Sequence, residues 1–275
     1  MKTFQVGVDI GGTFTDCVVI GSDGEMVSAK SPSTPPNFSQ GMINAMTVAA
    51  ETLGLTFETF CPRITVLTHG TTVGTNALIQ RRGARVGLIT TRGHEDVIHI
   101  MRGSRGITSR DLNKVVHFPE SQKPDPIIPK RYIAGVSERM DCNGAIVVPL
   151  NEAEVTAAID DLLSKGVEAI AIMFMHSYRN PAHEVAAKAY FSRRFPHLFV
   201  SASHELSQEY REYERTSTVV ANAYIGPRVD RYLGEIESTL KEVDFPGQFL
   251  VVQSTGGLYA LSEARQDCVR MMESG

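Results

Sequence analysis

The sequence predicts an α/β fold, a mostly parallel sheet preceded by an N-terminal β-hairpin. Three observations predict it. Phe4, Val6 and Val8 alternate with short or polar neighbours, Cys17 to Ile20 resume the pattern, and Gly11-Gly12 stands between them. Val167 to Met175 is a continuous apolar run, as in a strand covered on both faces. From Ala145 to Ser201 strand and helix patterns alternate, which is the rhythm of a parallel sheet.

In chain order, Gly11-Gly12 offers a tight hairpin turn, because glycine takes positive φ without steric cost. Gly21-Ser-Asp-Gly24 is a second turn, and Glu25 to Lys30 reads as a third strand. Pro32, Pro35 and Pro36 make a stiff connector that cannot be helical. Ser39 to Leu53 reads as a helix stopped at Gly54, with Met42, Ala45, Met46 and Ala49 on its core face. Ile64 to Thr68 is a short buried strand, and after His69-Gly-Thr-Thr-Val-Gly-Thr-Asn76 a helix continues from Ala77 to Arg82 and ends at Gly83. Arg85 to Thr90 is another strand.

From Thr91 to Lys130 the pattern dissolves, with Arg92, Arg102, Arg105, Arg110, Lys114, Lys123 and Lys130 spread through it beside Gly103 and Gly106. So long an irregular stretch reads as a functional loop or partner surface, or else as a solvated basic loop. Arg131 to Glu138 and Ala145 to Val148 read as a hairpin around an Asn-Gly turn. Asn151 with Glu154 forms a capping box for a helix that ends at Gly166, and Asn180-Pro181 starts the next helix. Leu198 to Ser201 is a strand. Leu206 to Ile225 and Pro227 to Val243 read as two helices parted at Gly226-Pro227. The second has an apolar stripe of Val229, Leu233, Ile236 and Leu240. The charges of Glu212-Tyr-Glu-Arg-Thr216 read as a solvated helix face. Phe249 to Gln253 is the last strand, followed by Ser254-Thr-Gly-Gly257.

Composition limits the function. The chain has 275 residues, 42% hydrophobic and 21% charged, with a net charge of −4. That balance gives no case for nucleic acid or an anionic membrane surface. The four cysteines (17, 61, 142, 268) show neither C-x-x-C nor zinc spacing, as expected of reduced thiols in a cytoplasmic protein. Met1 leads straight into a strand, so no signal peptide is expected, and no apolar run is long enough to span a bilayer.

The chemistry is expected in two places. Without Cβ atoms at Gly11 and Gly12, backbone N–H groups can reach an anion, and Thr13 and Thr15 add hydroxyl donors. Asp9 ends the first strand, where one carboxylate can hold hydrated Mg²⁺ beside phosphate oxygens. An ordinary Gly-Gly hairpin is the plain alternative; the flanking Asp and Thr-x-Thr-Asp favour a phosphate-gripping hairpin of the actin-like ATPase type. The second place is His69 to Asn76, where a strand feeds a helix through Gly, Thr71 and Thr72. Simple N-capping by either threonine is the alternative there, and His69 is either a core histidine or a site residue.

These residues resemble the hydantoinase/oxoprolinase family in its A-type subunit. The resemblance rests on Asp9-Ile-Gly-Gly-Thr-Phe-Thr-Asp16, His69-Gly-Thr-Thr-Val-Gly-Thr-Asn-Ala77, Leu88-Ile-Thr-Thr-Arg-Gly93 and His176-Ser-Tyr-Arg-Asn-Pro-Ala-His-Glu184. It continues in Glu212-Tyr-Glu-Arg-Thr216, Asn222-Ala-Tyr-Ile-Gly-Pro227 and Gln253-Ser-Thr-Gly-Gly257. It implies an actin/RNase H-like ATPase lobe with an inserted α/β subdomain. Residues 1–200 would form that lobe with its insertion, and 201–275 the helical start of a second region whose lobe is absent from this chain. It also implies ATP and Mg²⁺ as cofactors. Asp9 would organise the metal, and Gly11, Gly12 and Thr13 would grip phosphates. Thr15 would support the loop, while His69, Thr71 and Thr72 would face the transferred phosphoryl or the substrate carbonyl.

The expected substrate is a small carbonyl compound or a cyclic amide such as a hydantoin, lactam or 5-oxoproline, hydrolysed after ATP phosphorylates its oxygen. Ketone carboxylation of the acetone/acetophenone type is the alternative, and a non-catalytic nucleotide-sensing or assembly subunit is a third. Met101-Arg-Gly-Ser-Arg-Gly106 and Val115-Val-His-Phe-Pro119 look more like carboxylase-type members. The expected partner is a B-type hydantoinase subunit or a chain supplying the second lobe.

Overall fold

The structure, a computed structural model, describes residues 2–35, 37–102, 125–272 and 274. In chain order the main elements are β1 (Phe4–Ile10), β2 (Phe14–Gly21), β3 (Met26–Pro32), α1 (Phe38–Thr52), β4 (Ile64–Thr71), α2 (Val73–Ile79) and β5 (Val86–Thr91). They continue with β6 (Ile133–Val136), β7 (Arg139–Met140), β8 (Ile146–Val148), α3 (Glu152–Ser164), β9 (Ala169–Met173), α4 (Ala182–Arg194) and β10 (Phe199–Ala202). Last come α5 (Glu212–Glu242), β11 (Gln248–Val252) and β12 (Leu258–Ala260). The chain divides into two compact units, Met1–Gly83 with Ile225–Gly275, and Ala84–Tyr224 between them in sequence. It is a mixed α/β fold with an α/β insertion, as the sequence predicts.

The first unit is a six-stranded sheet ordered β12-β11-β4-β1-β2-β3. β1, β2 and β3 are antiparallel neighbours, while β4 runs parallel to β1 and β11 parallel to β4. Period-two alternation decides what β1 and β2 bury: Phe4, Val6, Val8, Ile10, Cys17 and Val19 point inward. Against them pack Met42, Ala45, Met46 and Ala49 of α1, the face read from the sequence. Val229, Leu233, Ile236 and Leu240 of α5 are likewise buried.

The second unit is a four-stranded, all-parallel sheet ordered β10-β9-β5-β6. Every residue of β5 and β9 is buried, as the apolar run requires. Val155, Ile159 and Leu162 of α3 and Ala187 and Phe191 of α4 share one core with Ile89, Ile170, Ile172 and Phe174. At the start of α3 the Asn151 side chain accepts from the Glu154 N–H at 3.1 Å.

Several expectations are corrected. The two helices parted at Gly226-Pro227 are one helix, α5, with Pro227 inside it. Buried neighbours on both sides of the proline, Val219, Val220, Ile225 and Val229, outweigh its missing hydrogen bond. That helix begins at Glu212, not Leu206. The predicted hairpin of 131–138 with 145–148 splits. Residues 133–136 join β5 in parallel as β6, and Arg139–Met140 alone pairs with β8, around a turn held by the Asp141 carboxylate. The helix expected over 77–82 starts earlier and ends at Ile79. β3 runs on to Pro32, which an edge strand tolerates.

Pro36, Gly103, Arg105, Gly106, Arg110, Lys114, Val115 to Pro119, Lys123, Glu273 and Gly275 lie outside the described residues, so the carboxylase-like loop and the C-terminal dipeptide are not described in full. All four cysteines are free, three of them buried. Among the described residues no helix is long and apolar enough to cross a membrane.

Candidate nucleotide site

The candidate site residues of the first unit gather at the carboxyl ends of β1 and β4. The parallel register places Asp9 beside Gly70 and Ile10 beside Thr71. Between β1 and β2 the loop is Gly11-Gly12-Thr13, closed by Gly11 N–H donating to Phe14 O at 3.0 Å. Neither glycine has positive φ, which corrects the expectation that this turn needs it. What the loop needs is room. A Cβ on Gly11 would sit 3.1 Å from Phe14 O, whereas a Cβ on Gly12 would meet nothing within 4 Å.

Ser33 bolts the loop from behind. Its N–H donates to Thr13 O at 2.9 Å, and its hydroxyl donates to Gly11 O at 2.7 Å. With that proton committed, Ser33 Oγ accepts from the buried Thr15 hydroxyl at 3.1 Å. Thr15 therefore supports the loop from inside. Gly12 and Thr13 are exposed, and among the described residues nothing accepts from their N–H groups. Sequence reasoning missed Ser33, which lies in the proline-rich connector with nothing to mark it.

Asp9 is exposed at the strand end, directly across from Asp16 in the β1–β2 register. Partial burial of its carboxyl, and then the Asp16 charge, push its pKa above the ordinary carboxylate range. Lys30 neutralises Asp16 at 2.8 Å; among the described residues Asp9 has no ion-pair partner. Like charges across a strand pair are unfavourable, so a cation at Asp9 would be welcomed.

His69 and Thr71 face the opposite side of β4 and are fully buried. His69 Nδ1 lies 3.3 Å from Val8 O, and Nε2 2.7 Å from the Tyr232 hydroxyl. Burial pushes its pKa down to about 4, so the ring is neutral. Thr71 Oγ1 accepts from Val73 N–H at 3.2 Å. The expectation that His69 and Thr71 face a substrate is therefore corrected: strand alternation turns both into the core. Thr72, half-buried at the start of α2, keeps a hydroxyl that accepts from Asn76 Nδ2 at 3.1 Å. Tyr232 was not read as a site residue, although it falls three positions after Val229 on the α5 stripe.

In the second unit the solvated face expected of Glu212–Thr216 holds for exposed Glu212 and not for Arg215. Arg215 is 1% exposed, and its guanidinium donates to Ser177 Oγ, Ser203 Oγ and Phe174 O and pairs with buried Glu184.

Residues 5–195 match the hydantoinase/oxoprolinase N-terminal region, and 215–275 match hydantoinase/oxoprolinase. The chain belongs to the hydantoinase/oxoprolinase family. Within the family it is 35% identical to the acetophenone carboxylase gamma subunit of Aromatoleum aromaticum, over 92% of this chain and 35% of that one. It is also 35% identical to caprolactamase subunit alpha of Pseudomonas jessenii, over 100% of this chain and 38% of that one. The nucleotide-free structure of acetone carboxylase, described as ATP-dependent, superposes with a TM-score of 0.90 at 27% identity. That match covers 100% of this chain and 39% of that one. The chain thus spans well under half the length of these relatives.

Proposed function

We propose that the first unit is the phosphate-binding half of the ATP site of a hydantoinase/oxoprolinase-type enzyme that activates a carbonyl oxygen by phosphorylation, for cyclic-amide hydrolysis. One observation carries the reading. The open N–H groups of Gly12 and Thr13 and the unpaired Asp9 carboxylate lie at the same end of the sheet, on a loop fixed by Ser33. Both curated relatives are named as subunits, which supports a partner polypeptide, of the B type or one supplying a second lobe.

The donor set fits Mg²⁺ held through water: one exposed carboxylate beside phosphate-facing amides, and no cluster of three or more metal-ligating side chains among the described residues. When bound, the ion would neutralise phosphate charge and favour an in-line geometry. The chain's own part is positional. Asp9 orients the ion's water shell, Gly12 and Thr13 N–H groups bind phosphate oxygens, and the Thr72 hydroxyl donates from the facing turn. Ser33, Thr15, His69 and Thr71 hold these groups in place.

Gly12→Val tests the phosphate role. Its side chain enters open space without backbone strain, so the melting temperature should stay near wild type. Mg-ATP affinity in calorimetry should fall by roughly tenfold or more. Unchanged affinity would make Gly12 a turn residue alone.

A second reading is ketone carboxylation, favoured by the 0.90 TM-score with acetone carboxylase. Phosphate release by the complete protein with its partners separates the two. Stimulation by a lactam without bicarbonate supports cyclic-amide hydrolysis, whereas dependence on both ketone and bicarbonate replaces it. No turnover with either would favour a nucleotide-sensing subunit.

A further inference from the structure

Tyr232 sits in the second half of α5, 5% exposed, among residues that no reading of the sequence connects to chemistry. Its hydroxyl lies 2.7 Å from His69 Nε2. The directions of the ring's bonds follow from the groups involved. Val8 O can only accept, so His69 Nδ1 carries the ring proton and donates to it. Nε2 of the neutral ring must then accept, and the Tyr232 hydroxyl donates to it. Thr71 Oγ1 separately accepts from Val73 N–H. From Tyr232 through the His69 ring to Val8 O each bond has a fixed direction, which is the condition for a rigid network.

What the network holds is Gly70. His69 and Thr71 flank it, and strand alternation sends both to the Tyr232 side while position 70 faces Asp9. The approach there is close. A Cβ at Gly70 would come 3.2 Å from Asp9 Oδ1 and 3.2 Å from Ser274 O. The Asp9 carboxylate therefore rests over the bare backbone of Gly70, and any movement of the strand end moves it.

We propose that Tyr232 is a positioning residue whose hydroxyl pins His69, the neighbour of Gly70, and so holds the end of β4 against the Asp9 carboxylate. The proposal rests on the reading of Asp9 as the magnesium-side carboxylate. It assigns the α5 tyrosine a part in the site without contact to nucleotide, and it explains why the His69–Asn76 motif opens on a buried histidine.

The test compares Tyr232→Phe with the wild type in the complete protein. Two quantities are measured: hydrogen exchange at the Gly70 amide without nucleotide, and Mg-ATP affinity by calorimetry. Tyr232→Phe keeps the ring and removes the hydroxyl alone. It should speed Gly70 exchange by about tenfold and weaken Mg-ATP binding by about tenfold. A ring that merely fills space would leave both quantities unchanged in Tyr232→Phe. Values within about twofold of wild type in both would overturn the proposal. So would faster exchange with unchanged affinity, since the pin would then not serve the site. Should the wild type not bind Mg-ATP, the nucleotide reading falls by itself. The exchange arm then decides whether the hydroxyl holds the strand end.

Discussion

Asp9→Asn is expected to abolish Mg²⁺-dependent ATP turnover by the complete enzyme, by roughly 10²-fold or more, while leaving the fold intact. The substitution is nearly isosteric and removes the charge that would order the ion's water shell. It should also raise the melting temperature slightly at neutral pH, and the sign follows from linkage. The folded-state pKa of Asp9 lies above its unfolded value, through partial burial and the facing Asp16. The native state then binds more protons in that interval, so this group's contribution to stability falls as pH rises through it. Above the interval the ionised carboxylate is a net cost, which the asparagine lacks. The variant's advantage should accordingly shrink as pH falls below the usual carboxylate range. Melting curves of both proteins at neutral and acid pH, beside turnover at varied Mg²⁺, decide the matter. Near-normal turnover with unchanged Mg²⁺ dependence would remove Asp9 from the site.

The largest effect on folding is expected at Glu184. Its two oxygens accept from Phe174 N–H, Ser177 Oγ, Ser203 Oγ, His204 N–H and His204 Nδ1, each at 2.7–2.8 Å, and face buried Arg215. Burial alone would push this carboxyl up, but His204, Arg215 and the backbone donor hold it below the usual range. Glu184→Ala leaves a buried guanidinium and several donors without an acceptor. Breaking one partner of a buried pair costs roughly 3–5 kcal/mol, a large part of the stability of a single unit. Denaturant titration and limited proteolysis of the second unit should show it. Glu184→Gln, which keeps the shape and one acceptor oxygen, should lie between. A loss below about 1 kcal/mol in Glu184→Ala would mean that water or repacking satisfies Arg215. Because the folded pKa is depressed, this carboxylate's stabilisation is present above its unfolded value and is lost as pH falls through the folded one. The second unit should therefore be acid-labile, with the sensitivity removed in the alanine variant.

The sequence by itself determined most of the architecture. Alternation in β1 and β2, the apolar run of β9, the Asn151 cap and the α1 core face are local patterns, and local patterns survive into structure when burial agrees with them. The placement of Asp9 at a strand end and of Gly12 and Thr13 in the loop after it was equally legible, because alternation ends there and two glycines follow. Tertiary structure alone decided the rest. Which face of β4 is core turns His69 and Thr71 inward and leaves Gly70 under Asp9, and no motif states that. Pro227 stays helical because packing on both sides of α5 outweighs a local preference. Arg215, placed among charges that suggest solvent, is buried because Glu184, Ser177 and Ser203 arrive from other elements to satisfy it. In each case the deciding partner is distant in sequence. A residue's type limits what it can bond, but only the fold brings the acceptor or donor to it.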